Sequence, residues 1–109
     1  MADRRLEFHQ ILKELMKPRR ITLDDDQVYF QPPADVKMLY PAIVYKRQNI
    51  GTKMADDALY GDVTEYMLTV IDPDPDSDIL REVLKLPMVR FNRHYTANNL
   101  NHDVFIIFY

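Results

Sequence analysis

A chain of 109 residues without a single cysteine can hold neither a disulfide nor a thiolate metal centre, and its length suits one domain, residues 1–109, built on one hydrophobic core. With 17 acidic against 14 basic side chains the net charge is -3, which argues against sequence-specific nucleic-acid binding over an extended surface, because that takes clustered Lys and Arg. The first nine residues carry charge where a secretion signal needs an apolar core, and no apolar run approaches the roughly 18 residues of a membrane span, so we expect a chain that stays in the cytoplasm after synthesis and enters no membrane.

From about Asp3 to Met16, Phe8, Ile11, Leu12 and Leu15 recur at helical spacing, with Glu7, Gln10, Lys13 and Glu14 on the other side, which predicts an amphipathic helix stopped by Pro18. The stretch Arg19 to Asp35 reads as an acidic turn at Asp24 to Asp26, then a short strand or extended edge around Val28 to Phe30. Tyr40-Pro41 favours an extended lead into a strand from Ala42 to Arg47, in which Ile43 and Tyr45 face away from Ala42 and Val44. Asn49 to Asp62 is polar, flanked by the only two glycines, and too long for a tight hairpin. A loop of this kind is a candidate contact element, and Gly51, Thr52, Lys53, Met54, Asp56 and Asp57 are its candidate interface residues.

Val63 to Ile71 is the strand around which the rest is arranged. Tyr66, Leu68 and Val70 make a wholly apolar face, whereas Glu65, Met67, Thr69 and Ile71 make a mixed one. Pro73 and Pro75 lack the N–H that a ladder needs and end the strand at about Asp72. Asp76 or Ser77 can then cap a helix whose Ile79, Leu80, Val83 and Leu84 share a face, and Pro87 closes it. Met88 to Thr96 follows as a strand with Val89, Phe91 and Tyr95 on one side and Arg90, Asn92 and His94 on the other. Asn98-Asn99 supplies a turn, and Asp103 to Tyr109 is a last strand, apolar on both faces. The order implies an α+β fold: a mainly antiparallel sheet of four to five strands with two helices packed on one face. One layer of helices covers one face of such a sheet, so Phe105, Ile107 and Tyr109 of the terminal strand are candidate interface residues toward another copy.

The chemistry-bearing clusters read as structural. Asp72, Asp74, Asp76 and Asp78 have the spacing that opens a calcium loop, but the sixth position is Ser77 where the turn needs glycine, and the twelfth is Val83 where a bidentate glutamate is needed. His94, His102 and Asp103 contain a two-histidine, one-carboxylate set, yet a hairpin turning at Asn98-Asn99 places His94 opposite Asp103 and His102 opposite Tyr95, on alternating faces. Ser77 is the only serine and suits a helix cap. Lys17, Arg19 and Arg20 make a basic cluster typical of a solvated helix end. We therefore expect no catalytic residue, no metal and no cofactor.

The phrases Val28-Tyr-Phe-Gln-Pro-Pro33, Val36-Lys-Met-Leu-Tyr-Pro-Ala-Ile-Val-Tyr45, Tyr66-Met-Leu-Thr-Val-Ile-Asp-Pro-Asp-Pro-Asp-Ser-Asp-Ile79 and Asn99-Leu-Asn-His-Asp-Val-Phe105, in that order of elements, resemble the small tail-completion, or tail-terminator, proteins of long-tailed bacteriophages and prophages. The resemblance spans residues 4 to 109. It implies an α+β fold and a non-enzymatic structural protein of the virion tail, present in the host cytoplasm during assembly. It further implies a ring of six copies that caps the tail tube and meets the neck or connector protein. The family has no motif that assigns residues a role. Two other classes fit the residues without it. One is a metal-dependent hydrolase or nuclease using the Asp72 to Asp78 run and the histidines. The other is a monomeric adaptor that binds by strand addition at a sheet edge.

Overall fold

The computed structural model describes residues 4–22, 24–50 and 64–109. Helix α1 (Arg4–Met16) runs into a 3-10 turn (Lys17–Arg19) and is followed by strands β1 (Val28–Phe30), β2 (Ala42–Ile50) and β3 (Thr64–Asp72), helix α2 (Ile79–Leu84), and strands β4 (Val89–Ala97) and β5 (Leu100–Phe108). The strands form one sheet in the order β1-β2-β3-β5-β4, parallel between β1 and β2 and antiparallel elsewhere. The fold is thus α+β with a mostly antiparallel sheet. Because β5 runs antiparallel to both β3 and β4, those two are parallel to each other, and the chain needs a crossover between them. Helix α2 is that crossover, and β5 fills the gap it leaves, as in a split β-α-β unit.

Both helices lie on one face. Phe8, Leu12 and Met16 of α1 and Ile79 and Val83 of α2 meet Ile43, Tyr45, Tyr66, Leu68, Val70, Phe105 and Ile107 in one buried cluster. Phe8 is its aromatic centre, stacked on Tyr66 and Tyr109 at ring distances of 4.9 and 5.2 Å and meeting Tyr45 edge-on at 5.3 Å. Arg19 ties the helices together: its guanidinium donates to the Leu15 carbonyl at 2.9 Å, which the helix end leaves open, and reaches Asp78 before α2 at 3.0 Å.

Where β3 ends, the acidic run folds on itself. Asp72 Oδ1 accepts from the Asp74 N–H at 2.8 Å and Asp74 Oδ1 from the Asp76 N–H at 2.9 Å, while Asn101 Nδ2 donates to the carbonyls of Asp72 and Pro73. The residue before α2 is Asp78, whose side chain makes no cap bond, so neither Asp76 nor Ser77 holds the cap position; Ser77 Oγ accepts from the Ile79 N–H at 3.2 Å in a turn that leads into the helix. Leu84, expected to face inward, is 52 % exposed, because a six-residue helix has room for Ile79 and Val83 on its buried line and turns Leu84 away. At the hairpin, Asn98 and Asn99 have φ of 54° and 63°, the left-handed pair that a two-residue type I′ connection requires and that asparagine tolerates.

Two expectations for the later strands change. A bulge between Phe91 and Arg93 inserts one residue into β4, so Tyr95 emerges on the face opposite Phe91 instead of sharing it. Phe105 and Ile107 are each 1 % exposed and lie under the helices in the chain's own core, and Tyr109, half-buried, stacks on Phe8 at their edge. The segment after α1 pairs with β2 as β1 and stands away from β5.

Candidate functional site on the sheet face opposite the helices

Among the described residues no helix or strand lies over the other face of the sheet. Its relief follows from the register. Val44 of β2 pairs with Thr69 of β3, Thr69 with Val104 of β5, and Val104 with Arg93 of β4, which sets a row of short β-branched side chains across the strands with a guanidinium at one end. The row on one side is Lys46, Met67, Ile106 and Arg90, and on the other Ala42, Ile71, His102 and Tyr95. Long side chains beside a line of short ones leave a groove. It runs across the strands, has a volume of about 680 Å³, and is closed at the β2 end by Gln31 and Pro32.

The walls are held in place. Tyr95 lies flat on His102, with ring centres 4.6 Å apart and planes 13° from parallel, and the Arg93 guanidinium sits 5.7 Å from the Tyr95 ring. At the other end Gln31 N–H donates to the Tyr45 carbonyl at 2.9 Å and Gln31 Oε1 accepts from the Arg47 N–H at 3.1 Å, while the Arg47 guanidinium lies 5.6 Å from the Phe30 ring. Lys46 and Arg93 thus give the lining positive charge, whereas Arg47, opposite Tyr66, turns its guanidinium to the helix side, and no carboxylate is among the described lining residues. Neither Lys46 nor Arg93 forms an ion pair among the described residues. An apolar floor between cationic ends suits an anionic, partly apolar segment.

The other polar clusters belong to the framework. His94 Nδ1 and Asp103 Oδ1 stand 2.8 Å apart, and that pair faces the helix side, whereas His102 stacks with Tyr95 on the groove side. Among the described residues no group of three or more His, Asp or Glu side chains could hold a metal ion. Tyr45, His9 and Asp26 line up like a proton relay, with Tyr45 Oη 2.6 Å from His9 Nδ1 and His9 Nε2 3.4 Å from Asp26. Burial raises the Tyr45 pKa, against a smaller opposing pull from Arg5, so the hydroxyl keeps its proton and fastens α1 to the sheet. Tyr29 is fastened similarly: its hydroxyl donates to Asp25 at 2.9 Å and accepts from the Leu39 N–H at 3.0 Å, and burial first, then the Asp25 carboxylate, pushes its pKa up to about 12.

The candidate interface residues Gly51, Thr52, Lys53, Met54, Asp56 and Asp57 lie outside the described residues. Phe105, Ile107 and Tyr109 contribute nothing to the groove. Lys46, Met67, Arg93 and Tyr95 do, and sequence reasoning did not single them out. Their only local signal was a mixed face on each strand, and which mixed residues become neighbours is decided by register. Among the described residues no helix is long and apolar enough to cross a membrane. No family model, curated protein or solved structure matches the chain.

Proposed function

We propose that this protein is a structural component of a phage or prophage tail, of the tail-completion class, that joins further copies of itself into a ring and caps the tail tube where it meets the neck. The phrases within residues 28–105 that resemble that class support the reading. The observation that carries it is the sheet face opposite the helices, with its preformed groove and no described element packed over it, as a subunit that must meet neighbours would present. The reaction asked of such a protein is contact alone. The test is to mix the purified protein with polymerising tail-tube protein and image the products. We expect rings at one end of the tubes and tubes that cease to lengthen. Tubes that grow unchecked, with no bound protein at their ends, would overturn the proposal.

A second reading draws on β4. This nine-residue strand is an outer edge of the sheet and is exposed from Arg90 to Ala97, so a partner strand can pair with it. A chain that stays monomeric at every concentration, ignores tail tubes and binds an extended peptide along β4 would favour that adaptor over the ring.

A further inference from the structure

The groove and the acidic turn of the same chain are complementary, and we propose that the groove of one copy receives the Asp72 to Asp78 turn of the next. This contact rests on the assembly reading above and would supply its subunit interface. The turn is exposed from Pro73 to Asp76 and already shaped. Asp72 and Asp74 each use one carboxylate oxygen to accept from the N–H two residues on, Asn101 straps the backbone, and two prolines fix φ, so docking orders few groups. The remaining carboxylate oxygens point charge outward, and Asp76 adds another. Asp78 is already engaged by Arg19 and stays with its own helix.

The groove offers the counterpart. Lys46 at the β2 end and Arg93 at the β4 end present cations, and the half-buried Val44 and Thr69 between them form a floor on which the rings of Pro73 and Pro75 can rest. With strands about 4.8 Å apart, three strand spacings separate the two cationic ends by roughly 14 Å, and the bent turn from Pro73 to Asp76 is placed between them. Within one copy the two surfaces do not meet, since the turn leaves the end of β3 and leads to α2 on the helix side, whereas the groove lies across the opposite face. Turn and groove are different patches, so the contact is head-to-tail. It repeats from copy to copy and ends only by closing into a ring. The cations of the groove and the carboxylates of the turn attract each other in this orientation.

Charge exchange tests the contact. The groove is reversed with Lys46→Glu and Arg93→Glu, and the turn with Asp74→Lys and Asp76→Lys; all four positions are exposed, and thermal melts check that each variant folds. Sedimentation across a concentration series is run for the wild type, for each variant and for their equimolar mixture, at low and high salt. We expect the wild type to associate more weakly as salt rises, each variant alone to associate weaker by roughly tenfold or more, and the mixture to recover, because a reversed turn then meets a reversed groove. A wild type that remains monomeric throughout, variants that assemble as the wild type does, or a mixture as weak as its parts would each overturn the proposal. The tail-tube assay separates this from the functional reading. Capping that survives both reversals removes the contact and leaves the tail role standing, while charge-exchange rescue without capping does the opposite.

Discussion

Replacing Phe8 should cost more than any other single change in α1, because its ring joins elements that are far apart in the chain. Phe8 is 1 % exposed and touches Tyr45 of β2, Tyr66 of β3 and the terminal residue Tyr109, so the helix, two strands and the chain end share one side chain. Truncation to alanine removes the ring from a site closed on all sides and should destabilise the protein by about 3–5 kcal/mol, toward the lower figure because half-buried Tyr109 can move into the space. Phe8→Leu keeps most of the apolar volume but loses the ring contacts, and about 1–2 kcal/mol is expected. Leu6 on the same helix is 54 % exposed, and Leu6→Ala should stay within about 0.5 kcal/mol. Urea unfolding with an unchanged m-value gives each difference. Against a total of about 5–15 kcal/mol for a domain, the alanine variant should be visibly less stable at room temperature. A loss below about 1.5 kcal/mol for Phe8→Ala, or one equal to that of Leu6→Ala, would refute the docking of α1 through this ring.

Ile107→Asp should abolish the cooperative melt and native circular dichroism, since it buries a carboxylate under the helices; a folded variant would refute the placement of Ile107 in the core. Ser77→Ala should lower stability by about 1 kcal/mol, whereas Asp74→Asn with Asp76→Asn should change it little because an amide oxygen can take the same N–H. In calorimetry of the wild type, calcium and chelator should give the same Tm, and a difference of several degrees would contradict the structural reading of this turn. His94→Ala leaves Asp103, which is only 7 % exposed, without its described partner and should cost about 1–3 kcal/mol by urea unfolding. Tyr29, with a folded-state pKa of about 12 against an ordinary 10.0, holds its proton where the unfolded chain loses it. Its contribution is therefore complete below pH 10.0 and is lost as pH rises through about 12, and Tyr29→Phe should flatten the alkaline slope of stability across that window.

Local periodicity carried the elements it could reach. Helix α1, the apolar face of β3 and the Asn98-Asn99 turn follow from residues within a few positions of one another, and the structure has each of them. Gln27 shows the limit. It follows three aspartates and no pattern singles it out, yet it is fully buried, its amide donating to the Pro41 and Arg19 carbonyls and accepting from the Ile21 N–H. Only the fold brings those backbone groups to one point, so no local pattern marks them. The terminal strand shows a different limit. Its two apolar faces were legible, but which one turns toward the helices depends on pairing with β3, and that pairing put Phe105 and Ile107 inward.

The bulge in β4 shows how little sequence is needed to build a surface. Strict alternation from Phe91 would place Arg93 and Tyr95 on the helix side and His94 on the groove side. One extra residue at Asn92 reverses everything beyond it, setting His94 against Asp103 beside the core and sending Arg93 and Tyr95 across to the open face. The groove thereby acquires its cation at the β4 end and its aromatic wall in one step, and β5 acquires a partner for its buried carboxylate. Nothing in Phe-Asn-Arg announces a bulge, and β-branched or glycine signals are lacking. The inserted residue is kept in place from both ends, by the Phe91 to Phe105 ring contact before it and the His94 to Asp103 pair after it. The chemistry of the groove face therefore depends on the register of β4, which the Phe91 to Phe105 and His94 to Asp103 contacts on the other side of the sheet support.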